Sequence, residues 1–293
     1  MLEKIKSFKR SLPFDVPTAD LYRSWLHVCA KLKPEGPETY PDFLCIGAPR
    51  SGTSWLFNKL YTRPDVYMPW FKEIHFFDEP LPSHDTLREK RYYDLDNEAD
   101  WRWYSLLYRP GKNRIKGDIT PAYMLLSVER ILKIKKHMPD VKLIFIMRNP
   151  IERAWSGTRR SLWSDYGKTA SDLDSEEELR DFVFSPSIID RGDYMGCIER
   201  WESVFDAQQI KYMFFEDLFA EPEGQLVSIC EFLGIAQPSK KRPDDLTRKI
   251  NAAPFEQPPK SIQSALCEHY SEQIDFLERK FERDLQSWRG SVL

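Results

Sequence analysis

The sequence lacks any apolar run near the roughly 18 residues that a membrane-spanning helix needs. Its first residues, MLEKIKSFKRSLPF, carry charge but no apolar core of a secretion signal, so a cytoplasmic protein without a span or leader is expected. Excess charge is lacking too. The 43 basic and 46 acidic residues leave a net charge of −3, which gives no global field for nucleic acid or an anionic bilayer, so a polyanion site must be local. The five cysteines, Cys29, Cys45, Cys197, Cys230 and Cys267, stand far apart and never as C-x-x-C. That pattern favours reduced thiols over a disulfide framework or a zinc site, and no metal is expected.

One further absence is more specific. The stretch IGAPRSGTSWL, residues Ile46–Leu56, keeps the glycine spacing of a phosphate-binding loop at Gly47 and Gly52, with hydroxyls at Thr53 and Ser54. An ATP or GTP loop places lysine directly after the second glycine, where it reaches the β and γ phosphates. Here Thr53 holds that position and the cation sits inside the loop as Arg50. The change alters the ligand more than the fold.

What is present suits a large α/β domain: 41% apolar residues with 14% aromatics can fill a sizeable core. DFLCIG before the loop reads as a strand, and TSWLFNKLYTR after it as a helix. VKLIFIMRNP is apolar on both faces, as a central parallel strand should be, and proline at position 150 suits the first turn of a following helix. RIKGDITPAYM supplies another strand ending near Thr120, and IKYMFFEDL a further one after the helical YMGCIERWESVFDA. EPEGQLVSICEFLGI is a helix with Gly234 as its C-cap. Strands alternating with helices predict a central parallel sheet flanked by helices, a three-layer sandwich of the P-loop nucleotide-kinase type. Residues 41–293 are expected to form one domain after an arm or helix at 1–40. The polar stretch 163–185 reads as a surface excursion or lid, with Ser175 and Glu178 forming a capping box. The spacing of Ile262, Leu266, Tyr270, Ile274, Leu277 and Phe281 predicts one C-terminal helix.

Three stretches carry candidate chemistry: the loop at Gly47–Ser54, KEIHFFD at Lys72–Asp78, and RNPIERAWS at Arg148–Ser156. Together they resemble the family of sulfotransferases that use 3′-phosphoadenosine 5′-phosphosulfate (PAPS), particularly its Golgi glycan and bacterial branches. The resemblance implies that Gly47, Pro49, Arg50, Ser51, Gly52, Thr53 and Ser54 hold the donor's 5′-phosphosulfate, with Arg50 on the bridging oxygen. A loop of backbone N–H groups before a helix N-terminus is a fitting cradle for it. It also implies that Arg148 and Ser156, eight residues apart, hold the 3′-phosphate, for which a guanidinium fork has the right geometry.

By the same resemblance Glu73 is the general base, with His75 its competitor and Lys72 a further cation for the sulfuryl oxygens or the acceptor. GDITPAY resembles a segment in which some glycan enzymes carry another catalytic lysine, at the position of Ile119, and that lysine is absent here. RGDYMGCIERW resembles a donor-side segment and makes Arg191 and Tyr194 candidate donor contacts. Plainer readings stand beside these. The loop alone could be a strand-to-helix turn, Arg148 an ion-pair residue, Glu73 a solvated carboxylate, and His75 a packed histidine. Phe76, Phe77, Trp101, Trp103 and Tyr104 read as packing, or as an aromatic wall for the acceptor.

The expected function is transfer of a sulfuryl group from PAPS, without metal and with 3′,5′-adenosine diphosphate as product. The acceptor would be a hydroxyl on a small metabolite or a carbohydrate. The alternatives are a P-loop kinase or NTPase, which needs lysine at position 53 and a Mg²⁺-holding carboxylate, and a non-catalytic nucleotide-binding relative.

Overall fold

The computed structural model describes residues 36–78, 93–237 and 256–290. Most of the expected N-terminal arm, residues 1–35, lies outside them.

The chain enters through β1 (Phe43–Gly47), turns through the glycine loop into α1 (Thr53–Tyr61), and returns along a two-residue edge strand, β2 (Val66–Tyr67). α2 (Glu98–Tyr108), β3 (Ile115–Ile119), α3 (Val128–His137), β4 (Lys142–Met147) and α4 (Pro150–Ser161) follow. Next come α5 (Glu176–Val183), α6 (Pro186–Ile189) and α7 (Tyr194–Glu202), then β5 (Ile210–Phe214), α8 (Phe215–Ala220) and α9 (Pro222–Leu233). The described chain ends with α10 (Lys260–His269), α11 (Ser271–Phe281) and α12 (Ser287–Gly290).

All strand pairs are parallel, in the order β2-β3-β1-β4-β5. Alternation along the strands sorts the core into two layers. Leu44, Ile46, Leu143, Phe145 and Met147 pack with α2, α3, α4 and α7 on one face, together with α10 and α11. Phe43, Cys45, Ile144, Ile146 and Met213 pack with α1, α8 and α9 on the other. This is the expected three-layer α/β sandwich. β1 lies between β3 and β4, so its carboxyl end opens at the switch point of the strand order, where such sheets take ligands.

Three expectations need correction. The C-terminal stripe is buried as expected from Ile262 to Leu277, but the helix breaks at Tyr270, whose buried hydroxyl donates to the Ile189 carbonyl at 3.0 Å. The Ser175–Glu178 capping box forms only in part: Ser175 Oγ accepts from Glu178 N, but the Glu178 carboxylate takes Asp174 N instead of the cap amide. The segment 163–185 is not wholly a surface excursion, because Leu179 and Val183 of α5 are buried while Trp163 and Tyr166 remain exposed. The two-residue β2 carries no pattern that sequence reading detects.

Candidate active site

The loop after β1 forms because its residues adopt left-handed backbone: Arg50 has φ 69° and Gly52 has φ 90°. Gly52 is the N-cap of α1, and a Cβ there would stand 3.0 Å from Leu218 Cδ1. The next strand end supplies Arg148, and Asn149 caps α4 by accepting from Ile151 N at 3.0 Å. α4 therefore presents Ser156 toward the loop. Arg50 Nε donates to Ser156 Oγ at 3.1 Å, and Arg148 Nη1 donates to the Arg50 carbonyl at 3.2 Å. Arg148 also forks onto Glu152 Oε2 at 2.8 and 3.2 Å and lies over the ring of Phe215. Tyr194, at the start of α7, donates its hydroxyl to the Arg148 carbonyl at 2.9 Å. The loop, Arg148, Ser156 and Tyr194 are thus one site.

Its field is strongly positive. Burial and the guanidinium groups of Arg148, Arg160, Arg159 and Arg153 lower Arg50 to about 10. Burial and Arg153 also lower Arg191, against the pull of Glu73, Asp78 and Asp165, and the Arg191 Nε is buried without a hydrogen-bond partner. Arg191 therefore senses the Glu73 segment as well as the arginine cluster. Arg153 is 1% exposed, donates Nη2 to the Ile188 carbonyl and has an unpartnered Nε. Sequence reading missed Arg153, Arg159 and Arg160. The usable signal was their place on the same helix as Ser156.

The second cluster lies in Lys72–Asp78. Lys72 Nζ donates to Ser54 Oγ at 2.9 Å and Thr53 Oγ1 at 3.3 Å, and lies 3.6 Å from Glu73 Oε1. His75 stands between two carboxylates, with Nε2 3.5 Å from Glu73 Oε2 and Nδ1 2.6 Å from Asp78 Oδ2. Glu73 and His75 side chains are each 43% exposed, so a substrate can reach them. Both residues hold left-handed backbone, φ 62° and 56°, which is uncommon for residues with side chains and concentrates at functional sites.

The electrostatics separate the two candidate bases. Burial would raise Glu73, but His75 and Lys72 outweigh it and hold the carboxyl below its ordinary value. Burial would lower His75, but Asp78 and Glu73 raise it to about 9. At neutral pH Glu73 is an ionised acceptor of protons and His75 already carries one. Lys72 is lowered by burial against the pull of Glu73. Behind this segment, Phe76, Phe77, Trp101, Trp103 and Tyr104 are fully packed, with Phe76 stacked on Tyr104 at 4.3 Å, so they are core and not an acceptor wall.

Ile119, at the position of the absent lysine, is buried in the layer of α1 and α9. Among the described residues no helix is long and apolar enough to cross a membrane, and Cys45, Cys197, Cys230 and Cys267 are free thiols.

The human heparan sulfate glucosamine 3-O-sulfotransferase 3A1 is 30% identical over 70% of this chain and 47% of its own length. The human 3-O-sulfotransferase 6 is 28% identical over 68% of this chain and 54% of its own length. The chain thus spans about half of these curated relatives. A sulfotransferase from Alicyclobacillus acidocaldarius has a similar structure, with a TM-score of 0.65, 26% identity, and 86% of this chain and 99% of that one covered. A sulfotransferase domain from the curacin biosynthetic pathway shares the fold at 15% identity, with a TM-score of 0.52 over 85% of this chain and all of that one. The sulfotransferase domain model matches residues 40–285, which contain the loop, the arginine cluster and the Glu73 segment alike. This chain belongs to the sulfotransferase family.

Proposed function

We propose that the chain moves a sulfuryl group from PAPS to a carbohydrate hydroxyl, with Glu73 as the general base. The observation that carries this reading is that Lys72 joins the Thr53 and Ser54 hydroxyls at the end of the loop to the Glu73 carboxylate, while arginines crowd the loop at Arg50. The cluster fits the donor's charge. Burial first, and then the guanidinium groups of Arg148, Arg160, Arg159 and Arg153, lower Arg50, as burial and Arg153 lower Arg191, and crowded guanidinium groups match a ligand with two separate anionic groups. Arg148 and Ser156 would hold the 3′-phosphate, and the loop with Arg50 the 5′ end. When bound, the donor supplies the sulfuryl group, and Mg²⁺ is not required.

The protein's own contribution is positional and electrostatic. Glu73 accepts the acceptor's proton. His75, held between Asp78 and Glu73, keeps the carboxylate ionised and oriented. Lys72 Nζ, set between the hydroxyls of Thr53 and Ser54 and Glu73, would face the donor-side oxygen on which negative charge develops as the sulfuryl group leaves. The carbohydrate acceptor is supported by the two relatives, whose names state glycan sulfation.

A kinase reading is disfavoured by Thr53 in place of lysine and by Asp118. That carboxylate ends β3 beside the loop strand, but it is 1% exposed and accepts from three hydroxyls, which leaves it no role toward Mg²⁺. Calorimetric titration with 3′,5′-adenosine diphosphate beside Mg²⁺–ATP tests the donor. Selective binding of the diphosphate is expected, and selective binding of ATP overturns the reading. Turnover with PAPS and a panel of sugars tests the acceptor.

A further inference from the structure

Asp118 is a buried ionisable group with no part in the chemistry proposed above, yet it stands at the root of the segment that carries that chemistry. Alternation along β3 turns it away from Ile119 and into the layer of α2. Thr120 Oγ1 donates to its Oδ1 at 2.7 Å, and the hydroxyls of Tyr104 and Tyr123 donate to its Oδ2 at 2.9 Å each. Burial raises it to about 6 even with those three donors opposing, so it is mostly ionised at neutral pH.

A carboxylate can only accept, so the three hydroxyl protons must point at Asp118. The remaining lone pairs of Thr120 and Tyr123 therefore face outward. Each meets a backbone amide of the segment around the base: Ile74 N donates to Thr120 Oγ1 at 3.0 Å, and Phe76 N to Tyr123 OH at 3.1 Å. These two amides bracket His75, and the first directly follows Glu73. Glu73 and His75, which directly precede these two amides, are the two residues of the segment in left-handed backbone.

We propose that Asp118 is a positioning residue for the base. Its carboxylate orients the Thr120 and Tyr123 hydroxyls, and these two limbs hold Ile74 and Phe76 so that Glu73 and His75 keep the left-handed backbone that sets the Glu73 carboxylate between Lys72 and His75. The inference rests on the reading of Glu73 as the base. Arg130 adds a separate anchor farther along, donating to the carbonyls of Phe77 and Asp78 at 2.6 and 2.9 Å, so loss of one limb releases the base without releasing the whole segment.

Asp118→Asn is the direct variant, because its amide must donate to one hydroxyl and so turns that hydroxyl's proton toward the backbone N–H. Each limb can also be cut separately. Thr120→Val keeps the shape and loses the hydroxyl, Thr120→Ser restores it, and Tyr123→Phe cuts the second limb.

With PAPS and an accepted sugar, kcat should fall on the order of 10–10²-fold in Thr120→Val and Tyr123→Phe, the scale of a misplaced catalytic group. Affinity for 3′,5′-adenosine diphosphate should be retained, and Thr120→Ser should recover most of kcat. In the protein without ligand, the His75 imidazole followed by NMR should titrate nearer its ordinary value of 6.5 in Thr120→Val than in the parent, as Glu73 and Asp78 loosen around it.

Unchanged kcat and unchanged His75 titration in both folded limb variants would overturn the proposal. So would a loss of kcat matched by an equal loss of diphosphate affinity, which is the mark of a merely structural role. The NMR arm needs neither donor nor acceptor, so a failure of the proposed reaction is told apart from a failure of the network.

Discussion

His75 carries its proton because two carboxylates face its two ring nitrogens, at 2.6 and 3.5 Å. The raised value near 9 has a definite sign: the stability from the charged ring is present in full below its ordinary 6.5 and is lost as pH rises through about 9. The same titration separates two mechanisms. With Glu73 as base, kcat/KM should hold between about pH 6, below which Asp118 takes up a proton, and about 9, and fall above as the cation holding Glu73 is lost. With His75 as base, it would rise through about 9 instead, and a pH–rate profile decides.

Glu73→Gln should lower turnover by about 10²–10⁴-fold while leaving affinity for the diphosphate product nearly intact. Unchanged turnover would remove Glu73 as the base. Arg148 should show the opposite pattern. Its fork is worth about 1.5–3 kcal/mol toward a phosphate, so Arg148→Ala should weaken 3′,5′-adenosine diphosphate by roughly 10–150-fold. Affinity for 5′-adenosine monophosphate should barely change, and calorimetry on both ligands reads the difference.

Secondary elements place these residues with uneven economy. The turn into α1 depends on Gly52, where a positive φ coincides with Leu218 and Phe215 at 3.0 and 3.3 Å from any added Cβ. At Gly167 φ is also positive, at 65°, but nothing stands within 4 Å. Gly167→Ala should therefore cost only the backbone term of about 1–2 kcal/mol. Gly52→Ala should cost more and should also displace the loop. Denaturant melts give the two costs, and equal losses would show that contact with α8 does not matter.

β1 and β4 were legible because a strand buried on both faces needs an unbroken apolar run, and the glycine spacing and Pro150 then punctuate the ends. The Glu73 segment was legible as a motif but not as a structure. Its shape is fixed by hydroxyls 46 and 47 residues away along the chain, and no local pattern encodes such contacts. The break at Tyr270 has the same origin, since its partner Ile189 lies 81 residues upstream.

At the scale of the molecule, the proposed donor site joins parts of the chain that are remote in sequence: the loop after β1, the end of β4 with α4, and the start of α7. Arg50 and Arg191 there are lowered by burial first and then by neighbouring guanidinium groups. Under the proposed donor assignment, a bound dianion would offset both and tie the three parts together. Saturation at about 100 times the dissociation constant stabilises a protein by about 2.7 kcal/mol, whatever the ligand. The distinguishing quantity is where that stability is distributed.

Hydrogen exchange with and without 3′,5′-adenosine diphosphate should show slowed exchange in residues 48–56, in α4 and at the start of α7 together. In Arg148→Ala at equal saturation, protection should persist in the loop and drop in α4 and α7, since the link between them has been cut. Protection confined to the loop in the parent protein would mean that the arginine cluster is not part of the donor site. The 3′-phosphate assignment of Arg148 and Ser156 would then fail with it.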